Sequence, residues 1–372
     1  MTSGISTQLF NTWKHLPPEK VVILAPKLEG AEETDLKLPM KVIRRRFSVS
    51  NTSLLARVTK SLLLPFFVYP IVRRYGISRI ICGTPVSAGF CGLVMKKFFR
   101  IPYVVYVYGG EIEKYSKFKP SLSLIRCILL NAVAVVANSR YSASEFIDGF
   151  KIHEGKFLIV HPGVDTERFK PGPRPLFLLD RYGMKGKKVL VTVARLAERK
   201  GHDMVIRALK SIIGKFPEVV YLIVGGGSYR EKLESLVKKL ELTDNVIFTG
   251  VVPDNELPAH YQLSEIYVMP NRETKGALEA IEGFGISFIE AGACGKAVVG
   301  GRSGGVEDAV VDGVTGILVD PSSEWEVAES IMRLLRENDL RIKLGENGRK
   351  RAEDIFQWTD LAEKLEVLLK PE

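Results

Sequence analysis

The stretch Glu282-Gly-Phe-Gly-Ile-Ser-Phe-Ile-Glu290 places a carboxylate before two glycines and a second carboxylate inside the apolar run that follows. The run reads as a buried helix beginning near Gly285. Free backbone N–H groups and the positive end of the helix dipole point out of such a start, so it favours phosphates and the oxygens near them. Downstream, Ser303-Gly304-Gly305 is a turn where backbone can approach a ligand closely, because no Cβ intrudes. Arg195 and Lys200 lie in one loop directly after a strand-like run. Arg grips phosphate oxygens bidentately and Lys supplies a point charge; the competing reading is a solvated basic loop. This layout suits a sugar carried on a diphosphate. There is no D-x-D, His/Cys cluster or P-loop, so the expectation is a site without metal. The diphosphate would be neutralised by Arg195, Lys200 and the helix start at Gly285. Gly225-Gly226-Gly227 is no dinucleotide fingerprint and reads as a plain strand-to-helix turn.

The elements that must position these residues alternate strictly. Lys188 to Val193, Val219 to Val224, Asn245 to Phe248, Ile266 to Met269, Ala297 to Gly300 and Gly316 to Val319 are apolar, β-branched runs separated by helical ones. That pattern predicts a parallel sheet covered on both faces. Arg79 to Cys82, Tyr103 to Tyr108, Val133 to Ala137 and Phe157 to His161 predict a second such sheet nearer the N-terminus. In open parallel sheets the ligand crevice lies beyond the carboxyl ends of the strands. Gly109-Gly110-Glu111, Asn138-Ser139 and Pro162-Gly163-Val164-Asp165 fall there, as ligand contacts or as turns and helix caps. Pro171-Gly-Pro-Arg-Pro175 is the clearest linker, and it divides the chain into 1–172 and 173–355. Two such units would leave a cleft between them.

At 372 residues the chain is long enough for two domains of ordinary size. Residues 1–172 carry 25 Lys+Arg against 12 Asp+Glu, net +13, and residues 173–372 carry 28 against 31, net −3. The basic half is drawn to an anionic surface. Most of the excess falls in 41–100: Lys41-Val-Ile-Arg-Arg-Arg46, the apolar helix-like run Leu54 to Tyr75 with Arg57, Lys60, Arg73 and Arg74 near its ends, and Lys96-Lys-Phe-Phe-Arg100. Two readings stand, a monotopic membrane-facing surface and a buried helix with solvated charged ends. No nucleic-acid recognition motif accompanies the charge. Cys82, Cys91, Cys127 and Cys294 read as core thiols of a cytoplasmic protein. No secretory leader is visible, and no apolar run reaches the roughly 18–20 residues of a membrane span.

Taken together, Arg195/Lys200, Gly250-Val251, Glu282-x7-Glu290 and Ser303-Gly304-Gly305 stand in an order and spacing that resemble the family 4 retaining glycosyltransferases. The match runs through nearly the whole chain and is densest from 188 to 320. The resemblance implies the GT-B fold: an N-terminal acceptor-binding Rossmann-like domain facing, across a cleft, a C-terminal domain that binds the nucleotide sugar, with a last helix, here 356–372, crossing back to the first. It implies that Arg195 and Lys200 hold the diphosphate as the glycosidic bond breaks. Glu290 takes the ribose hydroxyls, and backbone around Val251 meets the base. Glu282 holds hydroxyls of the sugar, the Phe284 and Gly285 amides, with Ile286 beside them, bind sugar or phosphate, and Gly4 belongs to a glycine loop under the donor phosphates. Retention in the family is ascribed to front-face attack, with the leaving phosphate helping to deprotonate the acceptor, so no protein nucleophile is expected. Met269-Pro270-Asn271-Arg272-Glu273-Thr274-Lys275-Gly276 running into Glu282 resembles the GDP-mannose-dependent phosphatidylinositol mannosyltransferases. The implied acceptor is lipid-linked or a glycan, met at the cytoplasmic membrane face.

Two departures stand out. The family commonly has histidine where this chain has Tyr108, which donates a hydrogen bond but does not titrate near neutrality, its reference pKa being about 10. No strand precedes Gly4, so either the chain is truncated or the first sheet lacks a strand. These departures keep a catalytically weak nucleotide-sugar-binding protein, and a UDP-sugar-dependent transferase, as alternatives.

Overall fold

The computed structural model describes residues 4–27, 30–31, 35–45, 54–116, 119–274 and 281–369. The chain divides into two compact units, one of Pro162–Gln357 with Gly4, the other of Ile5–His161 with the helix that starts at Trp358.

In the N-terminal unit, helix α1 (Gly4–Trp13) precedes strands β1 (Val22–Pro26) and β2 (Lys41–Arg45). The long helix α2 (Leu54–Tyr75) and α3 (Ser87–Phe99) flank β3 (Ile80–Cys82). Strand β4 (Tyr103–Val107) leads through α4 (Glu111–Ser116) and α5 (Lys119–Asn131) to β5 (Ala134–Ala137), α6 (Arg140–Phe150) and β6 (Phe157–Ile159). Among the described residues β1 pairs only with β2, while β3-β4-β5-β6 form a separate parallel sheet. Among the described residues no strand joins the two pieces, and none precedes α1. β4 is buried at every position, as its unbroken Tyr-Val-Val-Tyr-Val run requires of a central parallel strand. The last helix, α15 (Trp358–Glu366), belongs to this unit: Trp358, Leu361 and Leu365 bury against Leu16, Tyr106 and Tyr108. Cys82, Cys91 and Cys294 are buried, but Cys127 is exposed. It lies on the outward face of α5, whose Ile125, Ile128 and Leu129 fill the core, so one of the four thiols expected inside is on the surface.

The C-terminal unit carries α7 (Leu176–Arg181), β7 (Lys188–Val193), α8 (His202–Ile213), β8 (Val219–Val224), α9 (Arg230–Lys239) and β9 (Val246–Gly250). Then come α10 (Leu257–Leu263), β10 (Ile266–Met269), α11 (Ile286–Ala293), β11 (Ala297–Gly301), α12 (Val306–Ala309) and β12 (Ile317–Val319). Helices α13 (Glu324–Arg336) and α14 (Asn338–Ile355) complete it. The six strands form one parallel sheet in the order β12-β11-β10-β7-β8-β9. Helix α8 shows why its faces are covered: Val205, Ile206, Leu209 and Ile212 recur at helical spacing and are buried, while Arg207 and Lys210 face water. The proline-rich segment 171–175 lies inside this unit, because residues 162–170 before it already pack there. Val164 takes the Phe356 carbonyl, Phe169 meets the Tyr261 ring edge-on, and Arg349 donates to the Thr166 and Phe169 carbonyls. Prolines mark where a chain is stiff; packing decides where a unit ends.

Candidate functional site

The strand order reverses between β7 and β10, and in such sheets the ligand crevice opens beyond the carboxyl ends at that switch point. The loop after β7 supplies Arg195, Arg199 and Lys200; the loop after β10 supplies Asn271, Arg272 and Glu282. The two loops are bound to each other. Arg272 donates through both terminal nitrogens to Asp203 at 2.9 and 3.0 Å, and its amide reaches the Arg199 carbonyl at 2.8 Å. Gly201, at φ +72°, passes so close that a Cβ there would lie 2.0 Å from the Pro270 carbonyl oxygen. Only glycine fits.

Glu282 is the centre of this arrangement. Its Oε2 accepts from Arg199 at 2.5 Å and from Lys200, and all three side chains are nearly enclosed, at 10–13 % exposure. Burial alone would raise the Glu282 pKa, but Lys200 and Arg199 pull it down to about 2. The carboxylate is therefore charged at any physiological pH and acts only as an acceptor. Burial pushes Lys200 below its ordinary pKa against the pull of Glu282, so the pair offsets the penalty of enclosing two charges without erasing it. Arg195 is more exposed and is lowered by burial and by Arg199, with Glu282 opposing. Three cations thus stand within one loop of a single buried carboxylate. Arg199 was not among the expected residues, although Glu-Arg-Lys-Gly holds it directly beside Lys200.

The turn at Ser303-Gly304-Gly305 does approach another backbone closely, and that backbone is the one carrying Glu282. The Gly305 amide donates to the Glu282 carbonyl at 2.8 Å, and a Cβ on Gly304 would come within 2.4 Å of the same oxygen. Asn271, wholly buried, ties the set together: its Nδ2 donates to the Ser303 carbonyl, and its Oδ1 accepts from the Gly301 amide, each at 3.3 Å. Gly225-Gly226-Gly227 supports the cationic loop from below, the Gly226 carbonyl taking the Leu196 amide at 2.9 Å. Lys275 and Gly276 lie outside the described residues.

Helix α11 begins at Ile286, one residue past Gly285, which takes the left-handed conformation at φ +89°. Phe284 is buried, its ring edge-on to Phe356 at 5.6 Å, and this anchors the start of the helix. Glu290, in the same helix, has a different environment. Its Oε2 accepts from the Tyr261 hydroxyl at 2.6 Å, and burial lifts its pKa to about 7 against that hydrogen bond. Val251 follows Gly250 at the end of β9 and is exposed at 60 %. Glu282, Lys200, Phe284, Gly285, Ile286, Glu290 and Val251 all stand at the carboxyl edge of the one sheet or on the helix rising from it.

The remaining expected residues belong to the N-terminal end of the chain. Gly4, expected in a glycine loop, is the first residue of α1, and residues 1–3 before it lie outside those described. Tyr108 directly follows β4; it is buried, and its hydroxyl donates to the Gly83 carbonyl at 3.0 Å. Burial raises its pKa well above the ordinary tyrosine value. Its proton is committed to the end of β3, so it does not stand in for a titrating imidazole.

Two family models together match most of the chain: one described as Glycosyltransferase Family 4 matches residues 2–168, and one described as Glycosyl transferases group 1 matches 181–351. The chain belongs to the family 4 glycosyltransferases and has the GT-B fold. A GDP-mannose-dependent alpha-(1-6)-phosphatidylinositol monomannoside mannosyltransferase of Mycolicibacterium smegmatis is 33 % identical over 94 % of this chain and 90 % of its own length. The enzyme of Corynebacterium glutamicum that acts, by its name, on the monoacylated form is 28 % identical over 99 % of this chain and 94 % of its own. Among solved structures, Anabaena Alr3699/HepE in complex with UDP and glucose superimposes with a TM-score of 0.81 at 20 % identity, covering 99 % of this chain and 96 % of that one. The chain is a glycosyltransferase.

Proposed function

We propose that this glycosyltransferase moves mannose from GDP-mannose, with retention of configuration, to a lipid-linked or glycan acceptor at the cytoplasmic face of a membrane. The observation that carries the reading is the Glu282 carboxylate, held ionised by Lys200 and Arg199 at the sheet's switch point. A fixed, charged acceptor suits the hydroxyl-rich face of a hexose, and three cations in the adjoining loop suit its diphosphate. The GDP-mannose-dependent relatives, matched over nearly the whole chain, support the choice of donor.

In this reading Glu282 accepts from hydroxyls of the transferred sugar, and the amides of Phe284, Gly285 and Ile286 face its oxygens or the phosphate. Arg195 and Lys200 hold the diphosphate while the bond between the anomeric carbon and the phosphate oxygen breaks. The leaving oxygen takes the acceptor hydroxyl's proton as the new glycosidic bond forms on the same face. Glu290 accepts from the ribose hydroxyls, and backbone at Val251 meets the base. The charge on the leaving group is carried by side chains, so transfer proceeds in excess chelator. The test is a thermal-shift panel of GDP- and UDP-sugars followed by transfer from labelled donor. Stabilisation is expected to be largest with GDP-mannose, about 2.7 kcal/mol at 100 times its dissociation constant. A larger shift and faster turnover with a UDP-sugar would overturn the donor; binding without transfer or donor hydrolysis would overturn the enzymatic reading.

A further inference from the structure

The function proposed above asks Lys200 to hold a diphosphate while Glu282 holds the sugar. In the structure the two are joined to each other: Lys200 donates to Glu282 Oε2, the oxygen that Arg199 also reaches at 2.5 Å. A diphosphate that draws on Lys200 therefore competes with the carboxylate for it. Glu282 is nearly enclosed, and a buried carboxylate that loses its cation is strongly destabilised. It keeps its place only if a second cation stays with it.

Arg199 is built to be that cation. Its backbone is pinned: the Arg272 amide donates to its carbonyl at 2.8 Å, the Lys200 amide closes a turn on the Ala197 carbonyl at 3.0 Å, and Gly201 lies against Pro270. Its guanidinium is a planar fork, whereas Lys200 carries a compact ammonium on a flexible stem that can turn from one anion to another. The charges also divide evenly. A nucleotide sugar brings one negative charge on each phosphate, and with Glu282 these match the three cations of the loop, Arg195, Arg199 and Lys200. Pairing Arg199 with Glu282 leaves Arg195 and Lys200 for the diphosphate, with no enclosed charge unmatched.

We propose that Arg199 is a positioning residue that holds the Glu282 carboxylate in place while Lys200 passes from Glu282 to the donor's diphosphate, and that Arg199 does not itself bind phosphate. This deepens the function proposed above and rests on its placing of the sugar at Glu282. It does not depend on which base the donor carries.

The experiment is a double-mutant cycle on the full chain with Arg199→Met and Glu282→Gln. It uses GDP and GDP-mannose, or the UDP pair should the thermal-shift panel favour it. Arg199→Met should weaken GDP binding by about threefold or more, because Glu282 then contends with the diphosphate for Lys200. In the Glu282→Gln background, with no carboxylate to contend, the same substitution should change GDP affinity by less than about twofold. An equal loss in both backgrounds would overturn the proposal, since Arg199 would then be touching phosphate.

Turnover gives the second readout, taken as kcat at saturating donor from pH 4.5 to 8, which sets aside the effect of Glu290 on affinity. Arg199→Met should lower kcat by about tenfold or more and add an acid limb that the parent lacks. With Arg199 gone and Lys200 on phosphate, burial raises the Glu282 pKa unopposed by either cation. The other titratable groups that feel its charge are Arg195, from the same loop, and Tyr267 on β10. Arg199→Lys should restore kcat to within about threefold and remove the limb. Should Arg199→Met fail to fold, Arg199→Gln, which keeps an N–H donor without the charge, carries the same cycle. A flat profile with parent kcat, or a fall in melting temperature with no acid limb, would overturn the role given to Arg199. If Glu282→Gln itself keeps parent kcat, the placing of the sugar fails and the inference falls with it; if Glu282→Gln is inactive and Arg199→Met is not impaired, the inference alone fails.

Discussion

Lys200 donates to the same Glu282 oxygen that Arg199 reaches at 2.5 Å, so two cations from the loop after β7 converge on one buried carboxylate from the loop after β10. Sheet order brings these loops side by side, and Gly201 and Arg272 keep them there. Removing the carboxylate leaves two enclosed cations facing each other. Glu282→Ala is therefore expected to destabilise the C-terminal unit by about 3–5 kcal/mol, the usual effect of breaking a buried pair from one side. Denaturant titration measures this. Transfer should be abolished while GDP still binds, a split that equilibrium binding and turnover resolve; unchanged turnover would refute the role given to Glu282.

Gly304→Ala tests the support beneath that residue. At φ +61° an alanine is strained, and its Cβ would lie 2.4 Å from the Glu282 carbonyl oxygen, so the turn must shift. A stability loss of about 1–3 kcal/mol is expected from the backbone alone. Because the shift moves Glu282, kcat should fall more than the affinity for free GDP. A variant with full kcat would show that the turn does not position the carboxylate.

The two glutamates of the motif should respond to pH in opposite directions. Glu282 is depressed from 4.5 to about 2, so the stability it contributes is present above pH 4.5 and is lost as pH falls toward 2. Glu290 is raised from 4.5 to about 7, so its contribution is fully present below pH 4.5 and is lost as pH rises through 7. Thermal melts from pH 4.5 to 8 should show this decline in the parent, and Glu290→Gln should flatten it. If Glu290 accepts from the ribose, donor affinity in the parent should also strengthen as pH rises through 7. Glu290→Gln should remove that limb of the profile.

Tyr108→Phe asks whether the hydroxyl at the end of β4 is chemical or structural. Its proton is already given to the Gly83 carbonyl. Losing it is expected to destabilise by about 1–3 kcal/mol, the effect of leaving a buried partner unsatisfied. Transfer should change by no more than about threefold, since 1.4 kcal/mol in a barrier is already a factor of ten. A loss of about a hundredfold would return Tyr108 to the catalytic machinery.

Much of the architecture follows from local pattern. Runs such as Lys188–Val193 and Val219–Val224 are apolar at successive positions, which only a strand covered on both faces tolerates, and α2 forms over the residues its composition indicates, Leu54–Tyr75. The glutamate pair, the cationic loop and the glycine turn were likewise legible as an order of residue types. Side-chain partners were not. Sequence separates Lys200 from Glu282 by 82 residues, and nothing local says that Arg199 joins them. Only the reversal of strand order sets the two loops against each other. The same holds for the two carboxylates, alike in type and eight residues apart. One meets two cations and stays ionised; the other is buried beside a tyrosine, and burial lifts its pKa to about 7. Composition places an acid on a helix or in a loop. The field that sets its charge comes from residues distant in the chain, and tertiary packing decides which ones those are.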